Sequence, residues 1–339
     1  MSAHHSAWPG FRGHLAALAL ALSGVTGLVA PVAASETCTV AARCADLVRL
    51  EGGGLLPYYR SLPLVPTGAV RRVVLVVHGN RRNADEYFEY AIEAARTEGV
   101  LDSTLIIGPH FQTADDQPGP GEHYWSSGGW KTGDRSRDSA RVSSFAVMNQ
   151  LLGAVCPAGR GPFPSLRSVV LVGHSAGAQF VNRYAAGGAG CPDPAVEVRY
   201  VVMNPSSYLY VDGRRPMDDA GRFLEPRTRC ADYDDYKYGL GDLNRYMRSV
   251  GRAELRRRLF TRRTTYLAGS EDTRLDSSLD VSCAARLQGE NRLARFRSYG
   301  AYARLFAEWR GSTFIVVPGV GHSGRGMLVS EPARAATFR

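Results

Sequence analysis

The sequence predicts an α/β protein with a mostly parallel central sheet flanked by helices, and two observations carry that prediction. The first is a series of short, β-branched apolar runs: RVVLVV (72–77), TLIIG (104–108), SVVLVG (168–173), RYVVMN (199–204), TTYLAG (264–269) and TFIVVPG (313–319). They are continuous rather than alternating, as expected of strands buried on both faces. The second is the longer helix-like stretches between them, around 84–98, 144–155, 179–186 and 279–310. Strand–helix alternation implies parallel neighbours joined by crossovers. No repeat or low-complexity linker interrupts the pattern. A chain of 339 residues with 44% hydrophobic composition suits one sizeable core, so a single domain over residues 35–339 is expected.

Residues 1–34 carry Arg12, an apolar run from Leu15 to Ala30, and then PVAAS, with small residues where a signal peptidase cuts. They read as a cleavable signal peptide. Gly24, Gly27 and Pro31 interrupt the segment, leaving an uninterrupted apolar part short for a membrane span. All six cysteines follow this segment. A secreted or periplasmic chain in an oxidising compartment would join them as disulfides. Nearness along the chain pairs Cys38 with Cys44, and the expected remaining pairs are Cys156 with Cys191 and Cys230 with Cys283.

The formal net charge is +9, from 41 Lys and Arg against 32 Asp and Glu, and Lys131 and Lys237 are the only lysines. The basic clusters at Arg256 to Arg258 and at Arg262 and Arg263 lie among acids and beside no nucleic-acid-binding motif. They read as solvated surface, and no nucleic-acid partner is expected. His-Glu-x-x-His, paired Cys-x-x-Cys and the phosphate-binding Gly-x-x-x-x-Gly-Lys-Ser/Thr are all missing from the sequence. The expectation is chemistry without a cofactor or metal.

In a parallel sheet, ligands bind beyond the carboxyl ends of the strands. Polar residues cluster there. The first run ends in His78-Gly79-Asn80, the third in Gly173-His174-Ser175-Ala176-Gly177, the fifth in Ser270-Glu271-Asp272, and the last in Val320-Gly321-His322. Gly-x-Ser-x-Gly between a buried strand and the helix-like AQFVNRYAA is the pattern of a nucleophile elbow, whose glycines permit a sharp turn that lifts the serine above the sheet. Ser175 is therefore the candidate nucleophile. His174 diverges from Ser175 on such a turn and reads as packing. Where a serine is displayed this way, the acid and then the base follow it in the chain. His322 is the only histidine after Ser175, so it is the candidate base. Asp272 is the preferred acid, with Glu271 the close alternative and Asp276 and Asp280 behind it. An oxyanion hole needs two backbone N–H groups, here expected from Ala176 and from Asn80, with Arg81 as alternative to Asn80. His78 is expected to shape that loop.

In this order, HGN, GHSAG, GSEDT and GVGHS resemble the α/β-hydrolase superfamily, from about residue 70 to the end. MNPSSYLY, YDDYKYGL and CAARLQGENRLARFRSY are similar to segments of exported bacterial and fungal proteins of that fold. The resemblance implies an α/β-hydrolase fold and serine hydrolase chemistry without cofactor or metal. It departs from the His-Gly-Gly-Gly form of lipases and esterases, having Asn80 at the third position.

Specificity is expected from two covering segments. The loop 109–134 holds Trp125 and Trp130, and an insertion over 206–262, tyrosine-rich and including Tyr208, follows the strand at 199–204 where a lid belongs. Together they suit an aromatic substrate cleft, and core packing and loop anchoring account for the same residues equally well. The leading functional expectation is an exported hydrolase of small or polymeric carboxylic esters, followed by an amide hydrolase with the same three residues and by a non-catalytic binding module.

Overall fold

The computed structural model describes residues 36–159, 161–217 and 221–339; the expected signal peptide lies outside them. Eight strands form the central sheet: β1 Ala45–Arg49, β2 Leu55–Arg60, β3 Arg72–Val77, β4 Thr104–Pro109, β5 Ser168–His174, β6 Glu197–Met203, β7 Arg263–Gly269 and β8 Ser312–Val317. Their order is β1-β2-β4-β3-β5-β6-β7-β8, parallel from β4 through β8. The six expected runs supply β3 to β8. The hairpin β1–β2 was not expected. It is antiparallel, with Ala45 opposite Tyr59, and β2 runs antiparallel to β4. Its β1 is a half-exposed edge strand, so it lacks the continuous apolar run that marks a buried one. Its turn passes through Gly52, Gly53 and Gly54 at φ 86°, 91° and 86°, backbone that side-chain-bearing residues rarely adopt.

Alternate residues along each strand feed two cores, because side chains of a strand point to opposite faces. Val73, Leu75 and Val77 of β3 pack with Val169 and Leu171 of β5 on one face. Val74, Val76, Val170 and Val172 pack on the other. The first face is covered by α2 (Ser144–Val155), α3 (Ala176–Gly187), α5 (Arg252–Thr261) and α6 (Arg292–Ala303). The second is covered by α1 (Ala84–Thr97) and by the C-terminal helix Glu331–Phe338. This three-layer arrangement explains why the centres of the runs are apolar without alternation.

The single helix expected over 279–310 is corrected to a short helix, Cys283–Arg286, and α6. The break falls at Gly289, φ 141°, where an added Cβ would lie 2.9 Å from the Arg295 amide. Asn291 then starts α6 by accepting from the Ala294 N–H at 2.9 Å. Between β6 and β7 the chain contributes a two-stranded ribbon (Arg215–Pro216 with Phe223–Leu224), α4 (Arg245–Val250) and α5, and α5 packs against α3. Disulfides join Cys38 to Cys44, Cys156 to Cys191 and Cys230 to Cys283. Among the described residues no helix is long and apolar enough to cross a membrane.

Candidate active site

The sheet brings the strand-end loops of β3, β5, β7 and β8 to one edge. Ser175 joins β5 to α3 at φ 58° and ψ −116°, a strained conformation for a non-glycine residue. Close packing enforces the turn. A Cβ on Gly173 would lie 2.4 Å from the Gly177 backbone, and one on Gly177 would lie 2.1 Å from the Val77 carbonyl oxygen. Both elbow glycines are thus required by contact, and the second brings the end of β3 against the start of α3.

The Ser175 hydroxyl donates to His322 Nε2 across 3.0 Å, and His322 Nδ1 donates to Asp272 Oδ2 across 2.8 Å. Asp272 is buried, whereas Glu271 is exposed and has its amide committed to the Val320 carbonyl. The loops carrying the acid and the histidine lie so close that a Cβ on Gly269 would be 2.1 Å from the Val320 carbonyl oxygen. Asn204, at φ 52°, ties these strand ends together. Its side chain accepts from the Gly269 N–H at 2.9 Å and donates to the Gly321 carbonyl at 3.3 Å.

Among the described residues, the N–H groups of Asn80 and Ala176 donate to no protein acceptor. For Ala176 this follows from its place in the first turn of α3. His78 is fully buried beneath Trp130, with ring centroids 4.7 Å apart. Its Nδ1 bonds the Gly79 carbonyl and its Nε2 accepts from the Phe111 N–H. Burial, reinforced by His110, pushes its pKa down to about 3, so it stays neutral and braces the loop. His174 shares a 2.7 Å hydrogen bond with the Tyr87 hydroxyl. Burial and the nearby His322 hold its pKa well below the usual histidine range. A cleft of about 360 Å³ opens onto Ser175 and His322, with Asn80, Arg81, Ser278 and Arg325 on its walls.

The sequence profile of the Alpha/beta hydrolase family matches residues 73–338. The chain belongs to this family. The fold is shared with poly(aspartic acid) hydrolase-1 from Sphingomonas sp. KT-1, at TM-score 0.61 and 23% identity over 87% of this chain and 98% of that one. It is also shared with LpqC, the poly(3-hydroxybutyrate) depolymerase from Bordetella parapertussis, at TM-score 0.56 and 25% identity over 84% of this chain and 86% of that one. No curated protein matches the sequence. Membership of this family makes the protein a hydrolase.

In this α/β-hydrolase the expected aromatic cleft walls are corrected: Trp125, Trp130 and Tyr208 are all inside the core. Trp130 stacks parallel to Phe111, Trp125 meets Phe111 edge-on and donates from its indole to the Val142 carbonyl, and Tyr208 stacks on Tyr299 at 4.3 Å. None has surface to offer a substrate. An aromatic residue in a loop-like stretch reads the same in sequence whether it faces a core or a cleft.

Three residues that sequence reasoning missed lie at or next to this site. Asn204 is described above. Arg292 and Lys131 sit behind Asp272 and Asn80, and only tertiary packing brings them there. Arg292 lies in the family-like segment CAARLQGENRLARFRSY, which does not mark the residue that reaches Asp272, and Lys131 has no motif around it. The one available signal was the scarcity of lysine.

Proposed function

We propose that this α/β-hydrolase cleaves carboxylic esters through an acyl-enzyme formed on Ser175. The single observation that carries the reading is the hydrogen-bonded relay from Ser175 through His322 to Asp272, with bonds of 3.0 and 2.8 Å. His322 takes the hydroxyl proton as the Ser175 oxygen bonds to the ester carbonyl carbon. Asp272 keeps Nδ1 protonated and stabilises the imidazolium. The N–H groups of Asn80 and Ala176 bind the oxyanion of the tetrahedral intermediate, each contributing on the order of 10²–10³ in turnover. The intermediate collapses with loss of the alcohol, which receives the proton from His322. Water then attacks the acyl carbonyl, gives its proton to His322, and releases the acid and free Ser175.

The strained elbow supports this reading, because strain at a reactive residue is maintained only by surroundings that over-determine it. So does membership of a family in which a serine on this turn is the nucleophile. The proposal extends to export, supported by three disulfides, which persist in oxidising compartments.

Intact-mass spectrometry with a fluorophosphonate tests the nucleophile. One adduct is expected, on the peptide containing Ser175, and it should form far more slowly in His322→Gln. Labelling elsewhere, or none in a folded protein, would count against the assignment. Turnover of amides but not of esters would retain Ser175 and move the substrate class to amides.

A further inference from the structure

Lys131 and Lys237 are the only two lysines in the chain, and folding brings them near one another, with Lys131 next to Asn80 in the wall of the Ser175 cleft. Lys131 lies in the turn Trp130–Thr132, immediately after the tryptophan that covers His78. Its ammonium donates to Asn80 Oδ1 at 3.3 Å, and Asn80 lines the cleft with Ser175 and His322. The segment carrying Lys237 is fastened to the same turn, because the Tyr236 hydroxyl donates to the Thr132 carbonyl at 2.6 Å and the Asn244 amide donates to it at 2.8 Å. Arg183, fully buried on α3 two turns beyond Ser175, donates to the Lys237 carbonyl.

The two lysines differ in one respect. Lys237 is neutralised by Asp280 at 3.0 Å. Lys131 meets no carboxylate within ion-pairing reach among the described residues, and its one hydrogen bond is to a neutral amide oxygen. An ammonium partly withdrawn from water without a counter-ion is unfavourable. Burial, with added repulsion from Lys237 and Arg183 that Asp280 only partly offsets, pushes its pKa down to about 8. The surroundings extend the same field. Arg81 and Arg325 stand in the cleft wall with one acid, Glu86, and the loop leaving Lys131 enters a second cleft of about 470 Å³ lined by Arg135, Arg137, Arg141 and Arg245 against Asp134. An excess of cations around a concave site concentrates anions there.

We propose that Lys131, beside Asn80, is a carboxylate-binding subsite of the Ser175 cleft, and that the favoured substrate is an ester bearing a second, free carboxylate. This inference rests on the reading of Ser175 as the nucleophile. The carboxylate would supply the missing counter-ion of Lys131 in a charge-assisted hydrogen bond, and the ester carbonyl would lie next to the Asn80 amide.

The test compares monomethyl succinate, glutarate and adipate with the methyl esters of butanoate, pentanoate and hexanoate, by kcat/KM for each pair of equal chain length. The ratio cancels any general loss at Ser175. The wild type is expected to favour the anionic member by about tenfold or more, equivalent to about 1.4 kcal/mol. Lys131→Met should bring the ratio close to one, and Lys131→Arg should keep most of it. A wild-type ratio near one, or a preference that survives in Lys131→Met, would overturn the proposal.

Calorimetric binding of adipate to Ser175→Ala, with and without Lys131→Met, decides the subsite independently of turnover. At least tenfold weaker binding in the double variant supports it, and equal or absent binding overturns it. If no methyl ester is cleaved while adipate binding depends on Lys131, the ester reading fails and the subsite stands.

Discussion

The guanidinium of Arg292 lies 3.5 Å from Asp272 Oδ1, the oxygen that His322 does not use, and both side chains are wholly shielded from solvent. Arg292 is held in place by Asp276, bonding its two oxygens at 2.7 and 3.0 Å, and by the Ser278 hydroxyl at 2.7 Å. These bonds hold the Asp276 carboxyl far below the usual carboxylate range. Behind the acid of the proposed relay there is therefore a buried cation whose charge is shared between two carboxylates.

That sharing predicts opposite effects from two substitutions. Arg292→Met removes the cation, leaves Asp272 a stronger partner for a protonated His322, and should move the acid limb of the kcat/KM profile to higher pH by about one unit. Asp276→Asn leaves Arg292 to Asp272 alone and should move the same limb to lower pH. Arg292→Met should also destabilise the fold by about 3–5 kcal/mol, because it removes the cationic partner of the buried Asp272 carboxylate, so Asp276→Asn carries the test if the first variant unfolds. Limbs moving the same way in both variants would contradict the account.

Acid stability should report His78. Its folded pKa, about 3, is below the unfolded value of about 6.5. Above pH 6.5 neither state binds the proton and stability is complete. Below it the unfolded chain protonates and the folded one does not, so stability is lost as pH falls toward 3. At pH 5 the loss from this residue is about 2 kcal/mol, and His174 acts in the same direction. Urea midpoints at pH 7 and pH 5 should differ less in His78→Gln than in the wild type. Equal differences would place the acid sensitivity elsewhere.

Tyr208 tests the corrected view of the aromatic residues. It is buried against Tyr299, and its hydroxyl has no hydrogen-bond partner among the described residues. Tyr208→Phe should leave the acyl-length profile unaltered and change stability by less than about 1 kcal/mol, with stabilisation the expected sign, because an unsatisfied buried hydroxyl is removed. An altered acyl-length profile would return Tyr208 to the cleft.

The disulfide Cys230–Cys283 closes a loop across 53 positions, anchoring the insertion to the short helix before α6. Replacing both cysteines with serine should lower stability by about 4 kcal/mol in the chain-entropy account. Thermal unfolding with and without reductant checks this. A double variant as stable as the oxidised wild type would show that packing alone holds the insertion.

What was legible in the sequence follows from which interactions are local. Residues 73–77 of β3 and 169–172 of β5 are apolar without a break because both faces are covered, so these runs announce themselves. The hairpin β1–β2 is half-exposed at its edge and does not. Ser175, Asp272 and His322 could be selected because each follows such a run, and the structure brings the three within hydrogen-bonding reach. Gly289 does not announce a helix break in sequence, because a glycine within a helical pattern is often tolerated. Its close approach to Arg295 appears only in three dimensions. Trp125, Trp130 and Tyr208 were assigned to a cleft because aromatic character is the same on either side of a wall. Arg292 and Lys131 depend wholly on partners distant in the chain.

The most direct test of the central claim is hydrolysis of p-nitrophenyl esters of rising acyl length by the disulfide-bonded protein, beside Ser175→Ala. Wild-type turnover is expected to fall on the order of 10⁶, by analogy with a protease triad, to background in the variant. Turnover that persists in folded Ser175→Ala, or a folded wild type that turns over no ester in the series, would contradict it.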